Sequence, residues 1–177
     1  MDIARDNLAH EGSARTKSRR RRAQLSHRNL PLLMLIAREA VTSCFRPIFR
    51  EFGMTEQQWR ILRTLYADGE LMIGQIAERC VILSPSLTGI LQRMIDADVI
   101  VKRVDADDTR RFYVSLTKLG RAKFEAMVPR IEAAYSELEK EVGKEEIERL
   151  YAAIDCVLGK LGERGSAQAV LSHGVMP

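Results

Sequence analysis

Ser84-Pro85-Ser86-Leu87-Thr88-Gly89-Ile90-Leu91-Gln92-Arg93-Met94-Ile95 is the stretch on which the reading of the chain turns. Leu87, Ile90, Leu91, Met94 and Ile95 recur at the spacing of a helix that buries one face. Ser84 suits the N-cap and Pro85 the first helical position, where a missing N–H leaves no bond unmade. The opposite face is left with Ser86, Thr88, Gly89, Gln92 and Arg93. Small side chains let the backbone come close to another surface, while Gln92 and Arg93 carry the paired hydrogen-bonding groups that match adenine and guanine edges. The start of this helix, with the Ser84 and Ser86 hydroxyls beside free N–H groups, is suited to a phosphate.

Upstream, Met72, Ile73, Ile76 and Ala77 predict a short helix that breaks off at Cys80-Val81-Ile82-Leu83. Downstream, alternation over Val99–Val104 and Phe112–Leu116 predicts two strands joined by Asp105-Ala106-Asp107-Asp108-Thr109-Arg110-Arg111. Short helix, turn, capped helix and basic-tipped hairpin together predict a mainly α winged helix-turn-helix with a two-stranded wing. Arg110 and Arg111 are expected to enter a minor groove, Asp108 to fix Arg110 through a salt bridge, and Arg103 to add a contact from the first wing strand. The partner implied is double-stranded DNA.

The flanks are helical. Apolar residues from Leu30 to Phe52 form one stripe, with a kink predicted near residues 43–47 because Pro47 lies inside it. Gly53 ends that helix, Thr55 caps the next in a capping box with Gln58, and Asp68-Gly69 is a turn. Thr117 caps a long helix, and another follows Gly143. Their apolar stripes are broader than one small domain can cover, so these two helices and the first are expected to form a homodimer interface. The predicted organisation is a disordered basic arm over 1–27, a folded domain over 28–163 and a tail over 164–177. Within the domain, 54–117 form the DNA-binding lobe, and 28–53 with 118–163 the helical dimerisation region.

The net charge of +4 is misleading, because residues 1–28 hold eight basic and three acidic side chains and leave the remainder nearly neutral. DNA affinity is therefore expected from local placement of cations rather than from bulk attraction. No apolar stretch approaches the ~20 residues of a membrane span, and no apolar segment follows the basic run as in a secretory signal, so no membrane partner and a cytoplasmic location are expected. Cys44, Cys80 and Cys156 lack CxxC spacing and neighbouring histidines, which argues against a zinc site and for buried free thiols. His10, His27 and His173 lie in the expected tails, and no phosphate-binding or nucleophile motif is present, so neither catalytic residues, a metal nor a cofactor is expected. The alternative reading is a cysteine-based redox-sensing regulator of the same fold, with Cys44 activated by Arg46.

The segment Met54 to Thr117 resembles the MarR family of bacterial winged-helix regulators. The matching residues are Met54-Thr55-x-x-Gln58-Trp59, Pro85-Ser86-Leu87-Thr88, and Asp108-Thr109-Arg110-Arg111-x-x-Val114-x-Leu116-Thr117 with Gly120. Within the family, Ala37-Arg38-Glu39-Ala40, Phe45-Arg46-Pro47, Thr55–Ile61 and Pro85–Leu91 are similar to regulators of homoprotocatechuate (4-hydroxyphenylacetate) degradation operons. The resemblance spans about Leu30 to Leu161, and the basic arm departs from it. It implies an obligate dimer, two recognition helices in successive major grooves of a pseudo-palindromic operator, and repression relieved by a small aromatic acid effector. It also implies a pocket between the dimer helices and the DNA-binding lobe. There Arg38 is the candidate partner of a carboxylate, Arg46 a second cation, Ser43 a hydroxyl partner, and Phe45 and Trp59 an aromatic wall.

Overall fold

Asn29 opens the first helix by accepting the Leu32 N–H on Oδ1 at 3.1 Å, and Pro31 stands in the first turn. This helix, α1 (Leu30–Glu51), continues through Pro47. The structure, a computed structural model, describes residues 26–105, 108 and 110–162. The basic run Arg19 to Arg22 and the expected tail over 164–177 lie outside the described residues.

α1 ends as the glycine predicts. Gly53 adopts φ 62°, its N–H donates to Arg50 O at 3.0 Å, and the Met54 N–H donates to Phe49 O at 2.7 Å. This paired arrangement satisfies two carbonyls that the helix end would otherwise orphan. Thr55 then caps α2 (Glu56–Asp68), and Gln58 returns the bond to the Thr55 N–H at 2.9 Å. β1 (Leu71–Met72) leads into α3 (Ile73–Arg79). α4 (Ser84–Asp96), β2 (Ile100–Val104), β3 (Phe112–Leu116), α5 (Lys118–Val142) and α6 (Lys144–Gly162) follow.

The wing is the antiparallel β2–β3 hairpin, with Ile100 opposite Leu116 and Val104 opposite Phe112. β1 adds a third strand on the other side of β3, Leu71 facing Val114. Two residues are too few to show alternation in the sequence, so β1 exists because β3 offers it an edge.

One apolar cluster joins the elements. Ile61, Leu62 and Leu65 of α2, Ile76 of α3, Leu87 and Met94 of α4, Ile100 of β2, Val114 of β3 and Met127 of α5 are fully buried in it. The predicted inward face of α4 is thus its buried face. In contrast, Leu30, Leu32, Met34, Leu35 and Ile36 on α1 are exposed in the single chain, as are Leu150, Tyr151, Val157, Leu158 and Leu161 on α6. These are two of the three helices, α1, α5 and α6, expected to pair with a second copy.

Two expectations are corrected. The expectation is of buried thiols, yet only Cys80 is buried, because Cys44 lines an open cavity between α1 and α5 and Cys156 stands exposed on α6. Ser84 does not cap α4. The chain enters the helical conformation one residue earlier, so Leu83 is the N-cap and Pro85 the second helical residue, a position whose N–H is equally dispensable.

Candidate nucleic-acid interface

The outward face of α4 is built as its sequence pattern demands. Ser84, Ser86, Thr88, Gly89, Gln92 and Arg93 are all exposed, while Leu87, Ile90, Leu91 and Met94 lock the opposite side into the core. Arg93 has no carboxylate partner among the described residues, and its Nη1 lies back over Gly89, 3.6 Å from where a Cβ would stand. Gln92 Nε2 donates to Asp96 Oδ1 at 2.8 Å, a bond it must exchange to meet a base. The helix start offers fewer backbone donors than expected. Pro85 has none, and the Ser86 N–H donates to Leu83 O at 3.0 Å.

Asp108 organises the wing tip. Its Oδ1 accepts the Arg110 N–H at 3.0 Å and lies 3.4 Å from Arg110 Nε, and its Oδ2 lies 3.4 Å from Arg111 Nε. Asp108 O also accepts the Arg111 N–H at 2.9 Å. Both arginines are exposed, the Arg110 side chain to 92%. The expected Asp108–Arg110 pair is therefore present, and Arg111 shares it.

Arg103 is tied down differently. Its Nε and Nη2 meet Glu70 Oε1 and Oε2 at 3.2 and 2.6 Å, and its guanidinium stands 4.9 Å from the Tyr113 ring. This bidentate bond holds the Glu70 carboxyl below its usual range and keeps Arg103 more firmly protonated. Arg103 thus braces the wing against the α2–β1 turn, and a phosphate reaching it must compete with Glu70. The two residues are far apart in the chain, so nothing in their spacing signals the brace.

The five candidate effector residues do not converge on one cavity in the single chain. Phe45 and Trp59 are core. Phe45 packs 4.7 Å from the Tyr135 ring, and Trp59 stacks between Phe49 at 6.2 Å and Phe124 at 5.3 Å, with Tyr66 beyond Phe124 at 4.0 Å. Arg38 pairs with Glu56, and Arg46 pairs with Glu39 at 2.5 Å. The Ser43 hydroxyl donates to Ala40 O at 2.6 Å. A cavity of about 430 Å³ lies instead between α1 and α5, where Cys44 and Ile48 face Arg130, Ala134 and Leu138. The cation that the redox alternative places beside Cys44 is the one engaged by Glu39. Burial raises the pKa of the Cys80 thiol, which disfavours the thiolate that redox chemistry needs.

Comparison with known proteins decides the family. The MarR family model matches residues 52–111, from the end of α1 to the wing tip. The chain is 40% identical over 124 residues to the homoprotocatechuate degradative operon repressor of Escherichia coli, a match covering 70% of this chain and 84% of that protein. The chain belongs to the MarR family. It is a transcriptional regulator, as its relatives are. Among solved structures, transcriptional regulator PA4135 superposes with a TM-score of 0.71 at 36% identity, covering 74% of this chain and 96% of that one. NadR in complex with 4-hydroxyphenylacetate superposes with a TM-score of 0.65 at 33% identity, covering 77% of this chain and 96% of that one. Among the described residues of this MarR chain, no helix is long and apolar enough to cross a membrane, and no group of acidic, histidine and cysteine side chains is arranged to hold a metal ion.

Proposed function

We propose that the chain is a homodimeric repressor of an aromatic-acid catabolic operon, released from its operator by a small phenolic or aromatic carboxylate. The observation that carries the DNA half is the joint exposure of Ser86, Thr88, Gly89, Gln92 and Arg93 on α4 beside a wing tip whose arginines are oriented by Asp108. The uncovered apolar side chains of α1 and α6 support the dimer, which brings two such faces to one duplex. The effector class is supported by the likeness to a homoprotocatechuate operon repressor and to a regulator that binds 4-hydroxyphenylacetate.

Release requires that the effector bind one dimer arrangement better than the other. A coupling of about 1–3 kcal/mol lowers operator affinity roughly 5- to 150-fold. Fluorescence anisotropy on a duplex selected from a random pool, with and without 4-hydroxyphenylacetate or hydroxycinnamates, is expected to read a drop in that range. Unchanged affinity with every acid removes the effector class and leaves DNA binding standing.

Arg38 is the proposed carboxylate partner, and it already holds Glu56. A ligand carboxylate must displace that side chain or bind beside it. Glu56→Gln is therefore expected to lower the effector concentration for half-release by up to about five-fold, the worth of one exposed ion pair. An unchanged titration for Glu56→Gln, together with an unchanged one for Arg38→Ala, would place the carboxylate elsewhere.

A further inference from the structure

Two large apolar side chains stand uncovered at the turn between α3 and α4. Leu83 is 80% exposed and Val81 70% exposed, the two highest values among the exposed large hydrophobic residues described. Both positions also oppose local preference. Leu83 is the N-cap of α4, where its carbonyl accepts the Ser86 and Leu87 N–H groups at 3.0 and 3.1 Å but its side chain caps nothing. Serine, threonine, aspartate and asparagine are the residues that stabilise such a position. Val81 adopts φ 50° just beyond α3, in a paired helix-ending bond set that joins Val81 N–H to Glu78 O at 3.1 Å and Ile82 N–H to Ala77 O at 2.9 Å. Glycine fills that place without strain, whereas a β-branched residue there is an outlier. Gly53 meets the same requirement at the end of α1 and Asp98, whose short polar side chain tolerates φ 54°, at the end of α4, which leaves Val81 as the β-branched residue held in this conformation among the described residues.

The Val81 and Leu83 side chains therefore contribute neither to packing nor to capping a helix end. Their location points to what they serve. The N-terminal end of a recognition helix is the part that approaches base edges in a major groove. The one apolar feature of that groove is the thymine 5-methyl group. We infer that Val81 and Leu83 form an apolar lip that reads thymine methyl groups at the edge of each half-site, beside the polar contacts from Ser86 to Arg93. This specificity device rests on the DNA-binding reading above and adds to it a requirement for thymine.

The two substitutions that test it have opposite signs in two measurements. Leu83→Asn supplies a capping side chain and Val81→Gly relieves the left-handed conformation. Each is expected to raise the Tm of the full-length chain, at fixed protein concentration, by about 1–4 °C. Each is also expected to weaken binding to a duplex selected by the unaltered chain. Leaving one methyl group unburied corresponds to about four-fold per half-site and about fifteen-fold for both. Replacing the half-site thymines one by one with deoxyuridine should cost the unaltered chain the same factor at one position or more, and should cost Leu83→Asn nothing there. Variants that are more stable and bind every duplex as the parent does would overturn the inference, as would the absence of any thymine whose methyl is felt by the parent and not by Leu83→Asn. A chain that selects no duplex at all would remove the DNA reading and this inference together, an outcome distinct from either of these.

Discussion

Alanine at Gly120 is expected to destabilise the fold by roughly 3 kcal/mol or more, one of the largest effects of a single methyl group anywhere in the chain. A Cβ built there lies 2.0 Å from Val99 O and 3.0 Å from the Val99 carbonyl carbon. Backbone atoms cannot swing aside as a flexible side chain does. Val99 O is also engaged, receiving the Thr117 N–H at 3.2 Å, and Thr117 Oγ1 donates to the neighbouring Asp98 O at 2.6 Å while it caps α5 by accepting the Gly120 N–H at 2.9 Å. Pushing α5 away from the α4–β2 turn therefore breaks the cap and the turn together. The control is Gly74→Ala on α3, where nothing lies within 4 Å of the added atom and alanine gains helix propensity, so stability should hold or rise by up to about 1 kcal/mol. Urea denaturation compares the two, and a Gly120→Ala midpoint equal to that of the parent would contradict the close approach.

Arg110→Ala is expected to lower operator affinity by about 1–3 kcal/mol per wing, with no change in Tm. Arg110 makes no packing contribution that its removal would forfeit, since its side chain is 92% exposed and its ion pair among the described residues is with Asp108. Asp108 spends its charge on holding Arg110 and Arg111 in place, so removing Arg110 subtracts a positioned cation from the duplex. The slope of log affinity against log salt should fall by about one for each phosphate that is no longer neutralised. Anisotropy titrations between low and moderate salt measure both quantities, and an Arg110→Ala chain with parental affinity and slope would exclude the wing tip from the interface.

What the sequence disclosed and what it concealed divide along the range of the interactions involved. Thr55 with Gln58, Gly53 and Thr117 act within one helical turn, and each stands in the structure at the helix end where it was expected. The inward face of α4 and the β2–β3 hairpin were legible for the same reason, since periodicity is a local record of which side is buried. The third strand was not, because Leu71 and Met72 become a strand only by meeting β3. The Glu70–Arg103 brace joins residues whose proximity depends on the whole lobe being assembled. Phe45 and Trp59 suit a core as well as the wall of a pocket by residue type, and the contact of Phe45 with Tyr135 and the ring stack that holds Trp59 between Phe49 and Phe124 make them core in the single chain. The exposure of Leu83 was invisible for a different reason: the helical stripe begins at Leu87, and an apolar residue just before it looks like one more inward side chain until the turn's direction is known.

The central claim is that two copies of the α4 face and wing meet one side of a duplex, and hydroxyl-radical footprinting of the full-length chain on its selected duplex tests it most directly. The account predicts two protected tracts about one helical turn apart, ~10–11 base pairs centre to centre, each flanked by protected minor groove, and disappearance of both tracts for Thr88→Glu in a chain that remains folded. A single tract, tracts on opposite faces of the duplex, or a footprint that Thr88→Glu leaves intact would contradict it.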